Sequence, residues 1–435
     1  MERFALSRMK EWKENENRKP LIIRGARQVG KTWIMKTFGQ QYFETTAYVN
    51  FDNNARMKQV FEGDLDIERL VLSISAETGV SIEAENTLII FDEVQEVPKA
   101  LTSLKYFYEN APQYAIVAAG SLLGVALHQG TSFPVGKVDF LDLYPLNFRE
   151  FLCAMGEKQF VSMLDSCDTQ MVTVFKTKYI ERLREYYFVG GMPEVVKDFS
   201  EKKDYNRVRA IQKNLINYYQ QDFSKHAEIK LVPRLNLVWN SIPMQLAKEN
   251  KKYIYGQVRE GSRAKDFELA IQWLLDCGLI HKVQRIQKPD LPLKAYIDFD
   301  AFKLFLVDIG LLIAMTDLDA KVIIEGNKIF SEFKGALTEQ YILQQLISDV
   351  GVIPYYYSTQ NSKGEIDFLV QGKTSVIPIE VKAEENLKAK SLKAFCEKYQ
   401  PSYAVRTSMS DYREQDWMTN IPLYAIKWIE NYVNQ

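Results

Sequence analysis

The chain has 435 residues, room at about 150 residues per domain for roughly three domains with cores of their own, so a single small module is excluded. Hydrophobic residues at 46% and charged residues at 26% form a globular mixture that excludes a largely disordered or fibrous polymer. Lys+Arg 55 against Asp+Glu 56 leave a net charge of -1, so only a local patch could meet nucleic acid or an anionic membrane.

The first twenty residues mix charges of both signs and contain no apolar signal-type segment, which argues against secretion. Cys153, Cys167, Cys277 and Cys396 are scattered and form no CxxC pair. That spacing argues against a zinc site or a disulfide framework and points to a reducing cytoplasm. Residues 111–136 carry no formal charge, yet the glycines and proline among them read as a buried strand followed by a loop, not as a membrane span.

Over the first 150 residues, short apolar runs alternate with amphipathic segments, as a parallel sheet with crossover helices requires. The pattern predicts strands over residues 20–24, 46–51, 87–91 and 115–119. The first runs into Gly25, Ala26, Arg27, Gln28, Val29, Gly30, Lys31 and Thr32, the spacing of a phosphate-binding loop, GxxxxGK[ST]. Its glycines let backbone N–H groups turn inward toward phosphate oxygens, and the following helix adds its N-terminal dipole. Lys31 would reach the β- and γ-phosphates of ATP, and Thr32 would ligate Mg²⁺. The bare pattern arises by chance about once in a hundred chains of this length.

The third strand, Leu88 to Phe91, ends in Asp92 and Glu93. A carboxylate at a strand's C-terminal end can meet the metal held by Thr32, which makes Asp92 the metal residue and Glu93 the base that prepares water. The fourth strand ends near Ser121, whose hydroxyl either senses the γ-phosphate or caps the next helix.

From Phe140 the pattern turns helical, with a boundary expected near Phe151 and helices to about residue 230. Between residues 231 and 294 the order helix, short strand YIYG, helix, alternating strand GLIHKVQRI predicts a winged helix-turn-helix. This tract carries Lys248, Lys251, Lys252, Arg259, Arg263, Lys265, Lys282, Arg285, Lys288 and Lys294, a basic patch hidden by the neutral total. DNA contact and simple packing are both open readings for it. His128, His226 and His281 are too scattered for a metal or acid–base set, and Trp273 and Leu274 read as core.

Beyond residue 326 a helix bearing Glu339 precedes short strands. Glu380 and Lys382 lie two apart and so share one strand face, with Asp367 on the preceding strand. These residues resemble the D…ExK core of restriction-type nucleases, with Glu339 matching the acidic residue on the leading helix; the resemblance implies that Glu339, Asp367 and Glu380 could together hold Mg²⁺ while Lys382 orients or deprotonates a water attacking a phosphodiester. The plainer alternative is an ion pair between Glu380 and Lys382 on a half-exposed strand.

The segments PLIIRGARQVGKT, TLIIFDEVQEVP, LYPLNFREFL, YYFVGGMPEVV and FKLFLVDIGLLIAM resemble a prokaryotic family of AAA-type P-loop ATPases that carries a C-terminal restriction-nuclease-like domain with a D…ExK core. The resemblance implies an α/β protein: an ATPase domain over 1–150, a helical segment over 151–230, a winged-helix-like domain over 231–325 and a nuclease-like domain over 326–435. It implies ATP and Mg²⁺ as cofactors, DNA or RNA as partner, a homo-oligomer and no membrane. Many relatives carry Arg where this chain has Lys137, which would supply charge without a bidentate fork and leaves a solvated surface lysine as the simpler reading. ATP hydrolysis coupled to a nuclease is the leading functional expectation. The alternatives are a nucleotide-controlled regulatory protein whose nuclease-like domain is silent, and a slow-hydrolysis switch that times an assembly.

Overall fold

The computed structural model describes residues 1–120, 133–248, 251–324, 331–359, 364–384 and 389–435. Two compact units emerge: Glu2–Tyr144 with Asp276–Leu279, and Pro145–Leu275 with Ile280–Gln435. The first break falls at residue 144, ahead of the expected boundary near Phe151.

The N-terminal unit is built on a parallel five-stranded sheet in the order β2-β3-β4-β1-β5, with β1 Leu21–Arg24, β2 Thr45–Asn50, β3 Thr87–Asp92, β4 Ala115–Ala119 and β5 Asp139–Asp142. The four expected strands form within one residue of their predicted ends, and β5 is an addition. Its sequence, DFLD, is too short and too polar to announce a strand, and pairing to β1 makes it one. The helices are α1 Ala5–Glu14, α2 Lys31–Tyr42, α3 Ala55–Glu62, α4 Ile67–Thr78 and α5 Pro98–Asn110. Asn54 caps α3 by accepting from Met57 N–H at 3.0 Å, and Asp66 caps α4 through Arg69 N–H at 2.9 Å.

Strand alternation decides which groups face which helices. Ala47, Val49, Ile89 and Phe91 turn to one face, where they pack with Met57, Phe61, Leu70, Ile74 and Leu104 of α3, α4 and α5. Phe51, Phe61 and Phe91 meet edge to face at centroid distances of 5.4 to 5.6 Å. The intervening residues, Tyr48 on β2 and Asp92 on β3, therefore point to the face that carries α2.

The second unit begins with helices α6 Phe148–Ala154, α7 Lys158–Asp165, α8 Thr169–Val174, α9 Lys176–Val189, α10 Pro193–Lys202, α11 Tyr205–His226, α12 Val232–Leu246 and α13 Ala264–Asp276. A capping box starts α6: Glu150 N–H donates to Asn147 Oδ1 at 2.8 Å and Asn147 N–H to Glu150 Oε2 at 3.1 Å. The strand expected at YIYG is instead the start of a short helix, Tyr255–Val258. Trp273 and Leu274 are core as expected, with Trp273 against Phe223 at 5.4 Å.

The remaining strands, β6 Ile280–Ile286, β7 Ile297–Leu306, β8 Tyr355–Ser358, β9 Glu365–Gln371, β10 Val376–Val381, β11 Val405–Ser408, β12 Arg413–Gln415 and β13 Met418–Pro422, form one eight-stranded sheet in the order β12-β13-β11-β10-β9-β8-β6-β7. Helices α14 Ile309–Met315, α15 Ser331–Gln345 and α16 Lys390–Tyr399 accompany it. The expected division at residue 325/326 does not hold at the level of the sheet. The β6–β7 hairpin of the middle tract joins the C-terminal strands through parallel pairing of Arg285 with Tyr356 and Ile286 with Tyr357.

Candidate nucleotide site

The loop between β1 and α2 has the shape its glycines suggest. A Cβ on Gly25 would lie 2.1 Å from the Leu143 carbonyl oxygen, so no larger residue lets the chain pass. Gln28 takes a left-handed backbone at φ 67 and Gly30 caps α2 at φ 96. Lys31 is buried, and its Nζ donates to Gly25 O and Ala26 O, each at 2.8 Å. Burial lowers its pKa to about 8, with Glu93 and Asp92 opposing the shift and Arg27 adding to it. An ammonium hydrogen-bonded to carbonyl oxygens in dehydrating surroundings is poised to exchange them for phosphate oxygens.

Thr32, in the first turn of α2, donates its hydroxyl to Asp92 Oδ2 at 2.7 Å. The fold thus brings these two residues, 60 positions apart in sequence, into direct contact. Tyr48, a residue the sequence reading missed, also donates to Asp92 Oδ2, at 2.9 Å. Strand alternation is the signal that could have found it: Ala47 and Val49 face the core, so Tyr48 faces the site. Burial, then the neighbouring Asp92 charge, raise its pKa. Lys36 stands 3.7 Å over the Tyr48 ring. Asp92 is buried, and its Oδ1 accepts Glu93 N–H at 3.1 Å. Glu93 sits at φ 52, an uncommon conformation for a non-glycine residue, and its Oε2 accepts from Gln95 Nε2 at 2.7 Å. A hydroxyl and a carboxylate oxygen in contact are a hard donor set that fits Mg²⁺. Ser121 lies outside the described residues.

Lys137 is not simply solvated. It pairs with Glu109 at 2.9 Å and lies 5.5 Å over the Tyr108 ring, both within its own unit.

The C-terminal carboxylates are arranged differently from expectation. Glu339 of α15 is buried, with Lys251 in contact and Lys303 Nζ of β7 at 3.5 Å; Lys303, itself fully buried, also meets Glu365 Oε1 at 2.5 Å. Burial works against the Glu339 charge, but Lys251 and Lys303 outweigh it and lower its pKa. Asp367 moves the other way: burial, then Glu339, raise its pKa, and its Oδ2 accepts Val381 N–H at 2.7 Å. Glu380 instead pairs with Lys382 at 2.6 Å and accepts Leu392 N–H at 3.2 Å. Among the described residues, no group of three or more His, Cys, Asp or Glu side chains is placed to hold a metal ion. Of the expected set, Glu339 and Asp367 meet through a side-chain hydrogen bond, while Glu380 pairs with Lys382. Lys251 and Lys303 supply positive charge beside Glu339.

The basic tract is also partly spent. Lys251 goes to Glu339, Arg285 Nε to Asp298 at 2.9 Å and Lys288 to Asp290 at 2.7 Å, while Lys282 lies 4.3 Å over the Phe302 ring. Arg259, Arg263 and Lys265 remain exposed.

Three of the resembling segments meet in one buried junction of the second unit. Leu146 N–H donates to Gly191 O at 2.7 Å, Gly191 N–H to Asp308 Oδ2 at 2.6 Å, and Tyr186 Oη to Leu146 O at 2.5 Å. Asp308 also caps α14 through Leu311 N–H at 3.1 Å, and burial pushes its pKa up to about 6.

Residues 17–152 match the family model described as an AAA domain, and residues 180–322 and 334–426 match two models described as domains of unknown function, DUF8612 and DUF4143. No curated protein matches the chain. Among solved structures it is similar to a Walker-type ATPase of Pyrococcus abyssi, at 15% identity over 72% of this chain and 95% of that one, with a TM-score of 0.44. It is also similar to the Orc1 protein of Aeropyrum pernix in complex with DNA, at 14% identity over 72% and 91% with a TM-score of 0.28. The Cdc6p protein of Pyrobaculum aerophilum aligns at 11% identity over 74% and 93%, with a TM-score of 0.26. No described helix is long and apolar enough to cross a membrane. The AAA domain match over residues 17–152 covers the strand–loop–helix of residues 21–42 and the Thr32–Asp92 contact.

Proposed function

We propose that this protein binds and hydrolyses Mg²⁺-ATP at the loop of residues 25–32, and that its second unit binds a nucleic-acid partner without cutting it. The observation that carries the first part is the 2.7 Å contact between Thr32 and Asp92 beside the buried Lys31. Backbone N–H groups of the loop would cradle the phosphates, and Lys31 would leave its two carbonyl partners to meet the transferring phosphoryl group. Thr32 and Asp92 would hold Mg²⁺, which neutralises charge on the phosphates. Glu93, next along the chain and oriented by Gln95, would take the proton of the attacking water.

The observation favouring binding over cleavage is that Lys251 and Lys303 pair with Glu339, one of the three carboxylates a nuclease would devote to metal, while Glu380 pairs with Lys382. The exposed Arg259, Arg263 and Lys265 offer phosphate contacts. One assay tests both parts: phosphate release by the wild type and by Lys31→Ala, each with and without DNA or RNA in Mg²⁺ or Mn²⁺. Release by the wild type, its loss in Lys31→Ala, stimulation by nucleic acid and an intact nucleic acid afterwards are expected. Unchanged turnover in the variant sinks the nucleotide site, and cleavage that disappears in Asp367→Ala sinks the binding reading.

A further inference from the structure

The phosphate loop is held from a place its own motif does not include. Arg3, two residues before α1, is 95% buried on its 5% exposure; its Nη1 donates to Val29 O at 2.9 Å and its Nη2 to Tyr144 O at 2.6 Å. Val29 immediately precedes Gly30 and Lys31. Its carbonyl orientation fixes the peptide plane leading into Gly30, whose left-handed backbone starts α2. Tyr144 follows β5 at the point where the chain leaves the N-terminal unit. A planar guanidinium can hold two carbonyls at fixed spacing, whereas an ammonium is a point donor on a flexible stem. Removing it would free the second half of the loop at the stretch whose N–H groups are meant for phosphate.

We propose that Arg3 is a positioning residue of the nucleotide site: it clamps Val29 to Tyr144 and so presets the Val29–Gly30–Lys31 backbone for a nucleoside triphosphate. The inference rests on the nucleotide reading above. Arg3 touches the loop and not the γ-phosphate, so its loss should appear in the affinity for ATP more than in the chemical step.

The test compares Arg3→Ala and Arg3→Lys with Arg69→Ala in the full-length protein. Arg69 makes a similar bond, Nη2 to Val60 O at 2.9 Å, in the same unit but outside the phosphate loop. Both Arg3 variants should raise the KM for Mg²⁺-ATP by about tenfold or more, Arg3→Lys less than Arg3→Ala, with kcat changed by no more than about threefold. Arg69→Ala should lose thermal stability and keep the wild-type KM. If Arg3→Ala does not fold, Arg3→Lys decides. A wild-type KM in Arg3→Lys, or an equal rise in Arg69→Ala, overturns the clamp while leaving the nucleotide site standing. A wild type that neither binds nor hydrolyses ATP overturns the reading beneath it and the clamp together.

Discussion

The two acidic clusters of this protein are built from the same residue types and balance charge in opposite ways. In the P-loop domain, Lys31 is bonded to backbone carbonyls, and the partners of Asp92 are two hydroxyls and an N–H. Cation and carboxylate each keep neutral partners, which a phosphate and a metal can displace without breaking an internal ion pair. In the second unit, Glu339 and Glu365 are locked to Lys251 and Lys303 inside the fold. The fully buried Lys303 ammonium is offset by the two carboxylates beside it, so a metal could take Glu339 only by breaking an internal ion pair. The difference teaches that the same residue types carry different charge balance according to the partners the fold brings to them: neutral groups at Asp92, lysines at Glu339.

The sharpest attack on the open cluster is Glu93→Gln. The amide keeps the contact with Gln95 and removes the base, so ATP should still bind while turnover falls by about 10²–10⁴-fold in single-turnover kinetics. Loss of binding together with turnover would mean that Glu93 belongs to the nucleotide-holding set and not to the chemistry.

The closed cluster is broken by Lys303→Met, which leaves Glu339 and Glu365 facing an apolar side chain. Denaturant unfolding of the second unit should show a loss of about 3–5 kcal/mol at neutral pH. An unchanged midpoint would show that the lysine is not the counter-ion holding this cluster together.

A smaller effect separates structural acids from both clusters. The pKa of Asp308 is raised in the folded state to about 6 by burial. Protonation therefore favours folding, and the contribution of Asp308 declines as pH rises from about 4, its unfolded value, to about 6. The stability of the wild type relative to Asp308→Asn, which does not titrate, should fall over that window. A constant difference between pH 4 and pH 7 in urea melts would place the Asp308 titration elsewhere.

Much of the N-terminal domain was legible because its signals are local. Apolar runs marked four strands, and the GxxxxGKT spacing put Lys31 and Thr32 at the head of a helix. An acidic pair at a strand end placed Asp92 where Thr32 could reach it. Alternation along β2 contained Tyr48 as well, had its face been read. The C-terminal carboxylates were legible as residues but not in their charge balance, because that of Glu339 depends on Lys303 and Lys251, contributed by β7 and by the stretch before Tyr253.

By itself, then, the sequence determined the phosphate loop, its acidic strand and the parallel sheet beneath them, since each is written within a few residues by spacing and hydrophobic period. Tertiary structure alone decided that β6 and β7 join the C-terminal strands, that Asp308 seals a junction of three distant segments, and which acids are neutralised. Those outcomes rest on contacts between residues far apart in the chain. Whether a buried charge is tolerated depends on the partner that the fold brings to it.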